Sequence, residues 1–207
     1  MKKKYQDLVI KKGNFIGDWD QLYSDFENPW HQTDDSVFTS RSRRKVLEYI
    51  KDYNIHSIVE IGCGLGFTTE FLFSNSRELN ILGVDISKKA IDKAVINFPH
   101  LAFQEADILE AVKFKNYQAF FMSEITWYLL EDGKLNEVID GLIRSEYKFL
   151  IHNLTFYKNG QSYGNQFFTT LNEFIAKIPF AKLDHFSYSE PHWNSIETSV
   201  IFEINKQ

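Results

Sequence analysis

The sequence predicts an α/β domain with a mostly parallel, seven-stranded sheet in which one strand is reversed. Three observations carry this reading. Five short apolar segments alternate with helix-like segments from residue 39 onward. The last two strand-like segments are separated by only about six residues around Pro191, too few for a helical crossover, so they must be antiparallel neighbours. A glycine-rich turn, "GCGLG" at residues 62–66, follows the first of the strands.

The elements follow in order. Val46, Leu47, Ile50 and Tyr53 recur at helical spacing after Thr39 or Ser40 as cap. "SIVEI" (57–61) is a short strand running into the glycines, and "FTTEFLF" (67–73) opens a helix directly after Gly66. "NILGVDIS" (80–87) is the second strand. Ser87 caps a helix whose Ile91, Ala94, Val95 and Phe98 share one face until Pro99 stops it. "LAFQEADI" (101–108) and "YQAFFMSE" (117–124) supply the third and fourth strands. A helix from about Gly133, with Asp132 near its start, carries the stripe Leu135, Val138, Ile139, Leu142 and Ile143. "YKFLIHN" (147–153) is the fifth strand. Thr170 and Glu173 form a capping box before Leu171, Phe174, Ile175 and Ile178. "KLDHFSYS" and "SIETSVIFEI" close the sheet, the latter with Ile196, Thr198, Val200, Phe202 and Ile204 facing inward.

Composition bounds the function. At 207 residues the chain fits one domain (39–207) preceded by an N-terminal segment (1–38). Its 43% hydrophobic and 25% charged residues are those of a globular protein. The net charge of −5 argues against the basic surface that nucleic-acid binding requires. No apolar run approaches the ~20 residues that span a bilayer, so no membrane role is expected. No secretory leader is visible in "MKKKYQDLVIKK", and Cys63 is alone, so the expected compartment is cytoplasmic. His31, His100, His185 and His192 lack metal-ligand spacing with acidic partners, and no metal is expected.

The glycine turn decides the ligand. Glycines at a first strand–helix turn let backbone approach a ligand, and an acidic residue ending strand two can accept from ribose hydroxyls. Asp85 follows Gly62 by 23 residues, near the ~20 of a nucleoside site. Gly62, Gly64 and Gly66 form G-x-G-x-G, with Phe67 where a dinucleotide fingerprint has its third glycine, and Glu60 stands two residues before Gly62. This pattern resembles the class I S-adenosylmethionine-dependent methyltransferases over roughly residues 40 to 204. The N-terminal "WDQLY" (19–23) and "NPW" (28–30) are similar to segments of small-molecule members akin to the nodulation N-methyltransferase and of sugar- or polysaccharide-modifying enzymes. The resemblance implies a Rossmann-like sheet and S-adenosylmethionine as cofactor. It assigns to that cofactor Glu60, the backbone of Gly62, Cys63, Gly64 and Gly66, Asp85 with Ile86, Asp107 with Ile108, and Ser123. Cys63 has no base beside it and reads as a packing residue.

The acceptor end is less defined. Glu124 and Tyr128 follow strand four, the position that borders the methyl in the resembling fold. The family's histidine there is replaced by the Trp127–Tyr128 stretch. His152, ending strand five, is the first choice for acid/base work, against the plain reading of a hydrogen-bonded structural residue. Glu124 can equally hold the cofactor's amino group or cap its own helix. In the N-terminal segment Trp19, Tyr23, Phe26, Trp30 and His31 either form a lid over cofactor and acceptor or simply pack the first helix onto the sheet. Arg41, Arg43, Arg44 and Lys45 crowd a helix start where the macrodipole favours anions. They pair with Asp34, Asp35 or Glu27, form a solvated face, or bind a phosphate on the acceptor through Arg43 and Arg44. Trp127 and the loop residues Tyr157 and Tyr163 complete the expected acceptor set. The expected activity is O- or N-methylation of a small polar metabolite, phosphorylated or glycosyl, by a monomer or homodimer. The competing readings are an NAD(P)-dependent oxidoreductase and a non-catalytic interaction protein of the same fold.

Overall fold

A computed structural model describes residues 6–11, 14–15, 17–160 and 164–204. Seven strands form one sheet: β1 (Ser57–Ile61), β2 (Asn80–Asp85), β3 (Ala102–Glu105), β4 (Ala119–Ser123), β5 (Phe149–Tyr157), β6 (Ala181–Tyr188) and β7 (Ser195–Glu203). Their order is β3-β2-β1-β4-β5-β7-β6, with β7 antiparallel to both β5 and β6 and the rest parallel. The expected topology is therefore present, reversed strand included. The main helices are α1 (Trp19–Asp25), α2 (Asp34–Thr39), α3 (Arg41–Asp52), α4 (Phe67–Asn75), α5 (Lys88–Asn97), α6 (Ile108–Ala111), α7 (Lys134–Arg144) and α8 (Leu171–Lys177), preceded by a helical turn, Gln6–Val9, and a short antiparallel pair, Ile10–Lys11 with Asn14–Phe15.

Strand alternation divides the core into two layers. Val59, Ile61, Val84, Phe120, Met122, Leu150 and Leu154 face the side covered by α6, α7 and α8. Ile58, Ile81, Ala119, Phe121 and Ile151 face Val46, Tyr49 and Ile50 of α3 and Phe71 and Leu72 of α4. Each of the Val, Leu, Ile, Phe and Met side chains contributes roughly 1.5–3 kcal/mol by leaving water. The central strands are apolar on both faces because both faces are covered, as parallel sheets require.

Capping accounts for most element boundaries. Ser40 Oγ accepts from Arg43 N–H at the start of α3, and Ser87 Oγ accepts from Ala90 N–H at the start of α5. Thr170 caps α8 through Glu173 N–H, while the Glu173 carboxylate accepts from the Thr169 N–H rather than completing the expected reciprocal bond. Three boundaries differ from the sequence expectation. The third strand stops at Glu105, because Asp107 and Glu110 form a capping box that opens α6. β5 continues four residues beyond 153, with Leu154 and Phe156 buried and Tyr157 paired with Ser195. After β4 the chain forms two 3-10 turns, Thr126–Leu129 and Glu131–Gly133, before α7.

No linker separates α2 from α3: Ser40 ends one and begins the other, and Val37 of α2 packs into the α3 layer. α1 lies on α5, where Asp20 Oδ1 accepts from Ser87 Oγ (2.7 Å) and Lys89 N–H (3.2 Å). Lys93 Nζ donates in return to the carbonyls of Phe26 and Glu27.

Gly66 is the tightest joint of the fold. It opens α4 at φ +84°, and a Cβ there would stand 2.7 Å from the Phe103 ring. Gly66→Ala should cost about 1–3 kcal/mol. Chemical denaturation reads this directly, and an unchanged midpoint would contradict the packing described.

Candidate functional site

Parallel α/β sheets open a crevice at the carboxyl ends of their strands where the order reverses, here between β1 and β4. A cavity of about 860 Å³ occupies that crevice. One part of it is lined by Gly62, Asp85, Ile86, Asp107, Ile108 and Ser123, and another by Arg43, Glu124, Trp127, Tyr128, Tyr157 and Glu197. Trp19, Tyr23, Trp30, His31 and Gln32 of the N-terminal segment line it as well.

The glycine turn is held by backbone and by one carboxylate. Gly62 and Cys63 N–H both donate to Val84 O, and Gly64 N–H donates to Asp85 Oδ2 at 2.9 Å. The other oxygen, Asp85 Oδ1, accepts from Ser87 N–H at 2.9 Å. Burial, with Asp20 nearby adding repulsion, raises the Asp85 carboxyl to about 6 against these hydrogen bonds. Gly62, Gly64 and Gly66 all have positive φ. A Cβ on Gly62 would meet Ile125 Cγ2 at 2.2 Å, so glycine is required there by packing as well as by backbone.

Glu60 lies behind the turn rather than on the cavity wall. It is buried, and Thr69 Oγ1 donates to its Oε2 at 2.6 Å. Desolvation lifts its carboxyl to about 7, opposed by Thr69 and the Arg43 charge. Cys63 is also buried, its thiol pushed well up by burial, which fits a packing residue. Ile86 is 48% exposed and forms an apolar surface on the cavity between Asp85 and Asp107. Asp107 accepts from Leu109 N–H through Oδ1 and from Lys134 Nζ through Oδ2, the latter at 2.7 Å.

At the other end Glu124 sits directly after β4 with φ +59°, a conformation a non-glycine residue holds only under constraint. Its Oε2 accepts from Thr155 N–H (2.9 Å) and its Oε1 from Thr155 Oγ1 (3.1 Å). Burial raises its carboxyl, and Arg43 pulls the other way. Thr155 is the register partner of Glu197 on β7, so two carboxylates flank one threonine on the cavity wall. Glu197 Oε2 accepts from Ser40 Oγ and Ser42 N–H, both at 3.0 Å. This accounts for the basic helix start: the anion that the α3 macrodipole calls for is supplied by Glu197 from a distant strand.

The four basic residues of α3 diverge. Arg43 Nε donates to Thr68 Oγ1 and faces the cavity. Arg44 lies over the Phe38 ring, away from the cavity, so it does not join Arg43 in an acceptor site. Arg41 lies over Tyr188, and Lys45 pairs with Glu48 and Asp184. His152 also departs from expectation. It is fully buried, stacked on Phe174 at 4.0 Å, with Nε2 bonded to Thr126 Oγ1, and it does not line the cavity. Strand alternation turns it into the Leu150–Leu154 layer, and desolvation lowers its pKa to about 3, so it stays neutral and structural. Trp30, His31, Trp127, Tyr128 and Tyr157 all line the cavity, while Tyr163 lies outside the described residues.

Sequence reasoning missed Gln32, Lys134, Thr155, Trp193 and Glu197 as cavity residues. Glu197 had a signal: it is an acidic residue interrupting an apolar strand, two positions after Ser195. Thr155 had one in the unbroken alternation of residues 153–157.

The sheet order, the glycine turn after β1 and the acidic residue closing β2 are the architecture of class I S-adenosylmethionine-dependent methyltransferases. The model of the nodulation protein S (NodS) family matches residues 20–159, and the chain belongs to that methyltransferase family. Trans-aconitate 2-methyltransferase of Yersinia pseudotuberculosis is 32% identical over 92 residues, 44% of this chain. That match spans about a third (32%) of the curated relative's length. The crystal structure of N-methyltransferase NodS from Bradyrhizobium japonicum WM9 with S-adenosyl-L-homocysteine superposes with TM-score 0.61 at 15% identity, covering 90% of this chain and 98% of that one. The methyltransferase domain of bacterial CtHen1-C gives TM-score 0.63 at 16% identity, over 79% of this chain and 96% of that one. Among the described residues no helix is long and apolar enough to cross a membrane, and no cluster could hold a metal ion.

Glu60 yields a stability prediction. Burial raises its carboxyl to about 7 in the folded chain from an ordinary value of 4.5, so the folded state binds the extra proton between these limits. Stability is therefore lost as pH rises through that window, on the order of 3 kcal/mol in full. Glu60→Gln keeps an acceptor for Thr69 but never ionises. Its stability relative to wild type should be higher at pH 8 than at pH 5, as read by urea unfolding at each pH. A pH-independent difference would refute the assignment.

Proposed function

We propose that this chain transfers a methyl group from S-adenosylmethionine to a nitrogen on a small polar acceptor. The observation that carries the reading is one continuous cavity with a nucleoside-type end at Gly62, Asp85 and Ile86 and an acidic, aromatic end at Glu124 and Glu197. The cofactor supplies a sulfonium-activated methyl, and its sulfonium and ammonium charges fit a cavity lined by Asp85 and Glu124. In this reading Asp85 accepts from the ribose hydroxyls, Ile86 and Ile108 contact the adenine faces, and Asp107 accepts from its amino group.

Arg43 is the cation of the acceptor end, and its charge is already opposed by Glu60 and Glu124. That balance disfavours a phosphate dianion and favours an ammonium or neutral polar acceptor. An amine arriving as its ammonium must shed a proton before its lone pair can attack. Glu124 is the proposed base: its carboxyl is raised by burial and fixed by two bonds from Thr155. The proton goes to Glu124, the N–C bond forms as the S–C bond breaks, and the methylated amine and S-adenosylhomocysteine leave. Trp127, Tyr128 and Tyr157 would keep water from this centre. The printed activity of the NodS structural neighbour, an N-methyltransferase, is in keeping with this acceptor class. An amino-bearing intermediate of glycan or secondary-metabolite synthesis is the proposed setting.

Two measurements test the reading. Calorimetry should detect S-adenosylhomocysteine and not NADH, with affinity weakening as pH falls through about 6, where Asp85 takes up its proton. Binding of NADH alone would sink it. With labelled cofactor and a panel of amino sugars and amino-acid derivatives, Glu124→Gln should lower turnover roughly 10²–10⁴-fold. Full turnover by that variant would remove Glu124 as the base.

A further inference from the structure

The N-terminal segment contributes a hydroxyl whose chemistry is incomplete. Tyr23 is buried at 4% exposure and lines the cavity. Its ring packs against Leu65 and Ala90, and its Oη accepts a hydrogen bond from Trp30 Nε1 at 3.1 Å. That bond uses the oxygen as acceptor only. Among the described residues no group accepts the phenolic proton. The hydroxyl lies over the glycine turn, 2.9 Å from where a Gly64 Cβ would stand, with Gln32 Oε1 3.5 Å from the same point.

A buried hydroxyl normally finds an acceptor, and leaving its proton unclaimed is unfavourable. Burial first, then the nearby Asp85 charge, raise its pKa well above that of a free phenol, so it remains a donor. Its position is not accidental slack. α1 is pinned to the N-terminus of α5 by Asp20, which bonds Ser87 Oγ and Lys89 N–H beside Asp85. Lys93 holds the following turn through two carbonyls.

We propose that Tyr23 donates its hydroxyl proton to the carboxylate of the cofactor's amino-acid moiety, making α1 part of the cofactor site rather than only a cover over the acceptor. The requirement is chemical: the buried phenol needs an oxygen acceptor over the glycine turn, and the carboxylate is the oxygen acceptor that the cofactor's amino-acid end brings there. Gly64 N–H is already committed to Asp85, so the turn itself has one donor fewer to offer such an anion. The inference rests on the methyltransferase reading and names a residue outside the glycine and Asp85 motifs.

The test compares two ligands by calorimetry: S-adenosylhomocysteine, which has the carboxylate, and 5′-methylthioadenosine, which keeps the nucleoside and thioether but lacks the amino-acid end. Wild type should bind the first more tightly. Tyr23→Phe preserves the ring and should weaken S-adenosylhomocysteine roughly ten- to a hundredfold, as for loss of a charge-assisted bond. It should leave 5′-methylthioadenosine within about twofold. A purely structural role for Tyr23 would weaken both ligands alike and overturn the proposal, as would unchanged affinity for both. If wild type binds the two equally, the carboxylate is not read and the proposal falls while the methyltransferase reading stands. If wild type binds neither, both fall. Thermal unfolding of the free variant checks that the comparison is made on folded protein.

Discussion

The site depends on one carboxylate bonded on two sides. Asp85 ends β2, accepts from Gly64 N–H through one oxygen and from Ser87 N–H through the other, and so fixes the glycine turn against the start of α5. Remove that anion and the turn loses its link to the neighbouring strand end. The turn could not take its path with side chains at 62, 64 and 66, since all three have positive φ and each lies against another side chain. Sequence, backbone and cavity shape are joined at this point. The cost is a buried acid whose pKa is displaced upward, the pattern found where proteins prepare a binding site.

Around that joint the charges are distributed across long sequence distances. Three buried or partly buried carboxylates, Glu60, Asp85 and Glu124, approach the cavity region with Arg43 as the cation opposing two of them. Such an arrangement is costly in the free chain and becomes favourable when a ligand brings positive charge. The same logic explains α3. Its arginine-rich start looks misplaced in one dimension, but the strand β7 delivers Glu197 to the helix N-terminus. The basic residues then separate, one toward the cavity and the others to rings and surface acids.

How much of this was legible in sequence follows from the range of the interactions. Strand and helix order, the reversed strand and the glycine turn are encoded by local spacing and were readable. Asp85, expected from its spacing after the glycines, and Asp107, expected from the family resemblance, both line the cavity. His152 was misjudged because strand register decides which face a residue takes, and its place next to the strand end did not reveal the Phe174 ring that covers it. Arg44 was misjudged by one helical step of about 100° relative to Arg43. Thr155 and Glu197 escaped notice because they meet only through antiparallel pairing of β5 and β7, across more than forty residues (155 to 197). Long-range pairs of that kind leave little trace in a single sequence.

A crystal structure of the complex with S-adenosylhomocysteine tests the central claim most directly. The account predicts the ribose hydroxyls within hydrogen-bond distance of the Asp85 carboxylate, the nucleoside against Ile86, and the sulfur facing the part of the cavity that holds Glu124. A nucleoside bound away from Asp85, or a sulfur turned from Glu124, would contradict it.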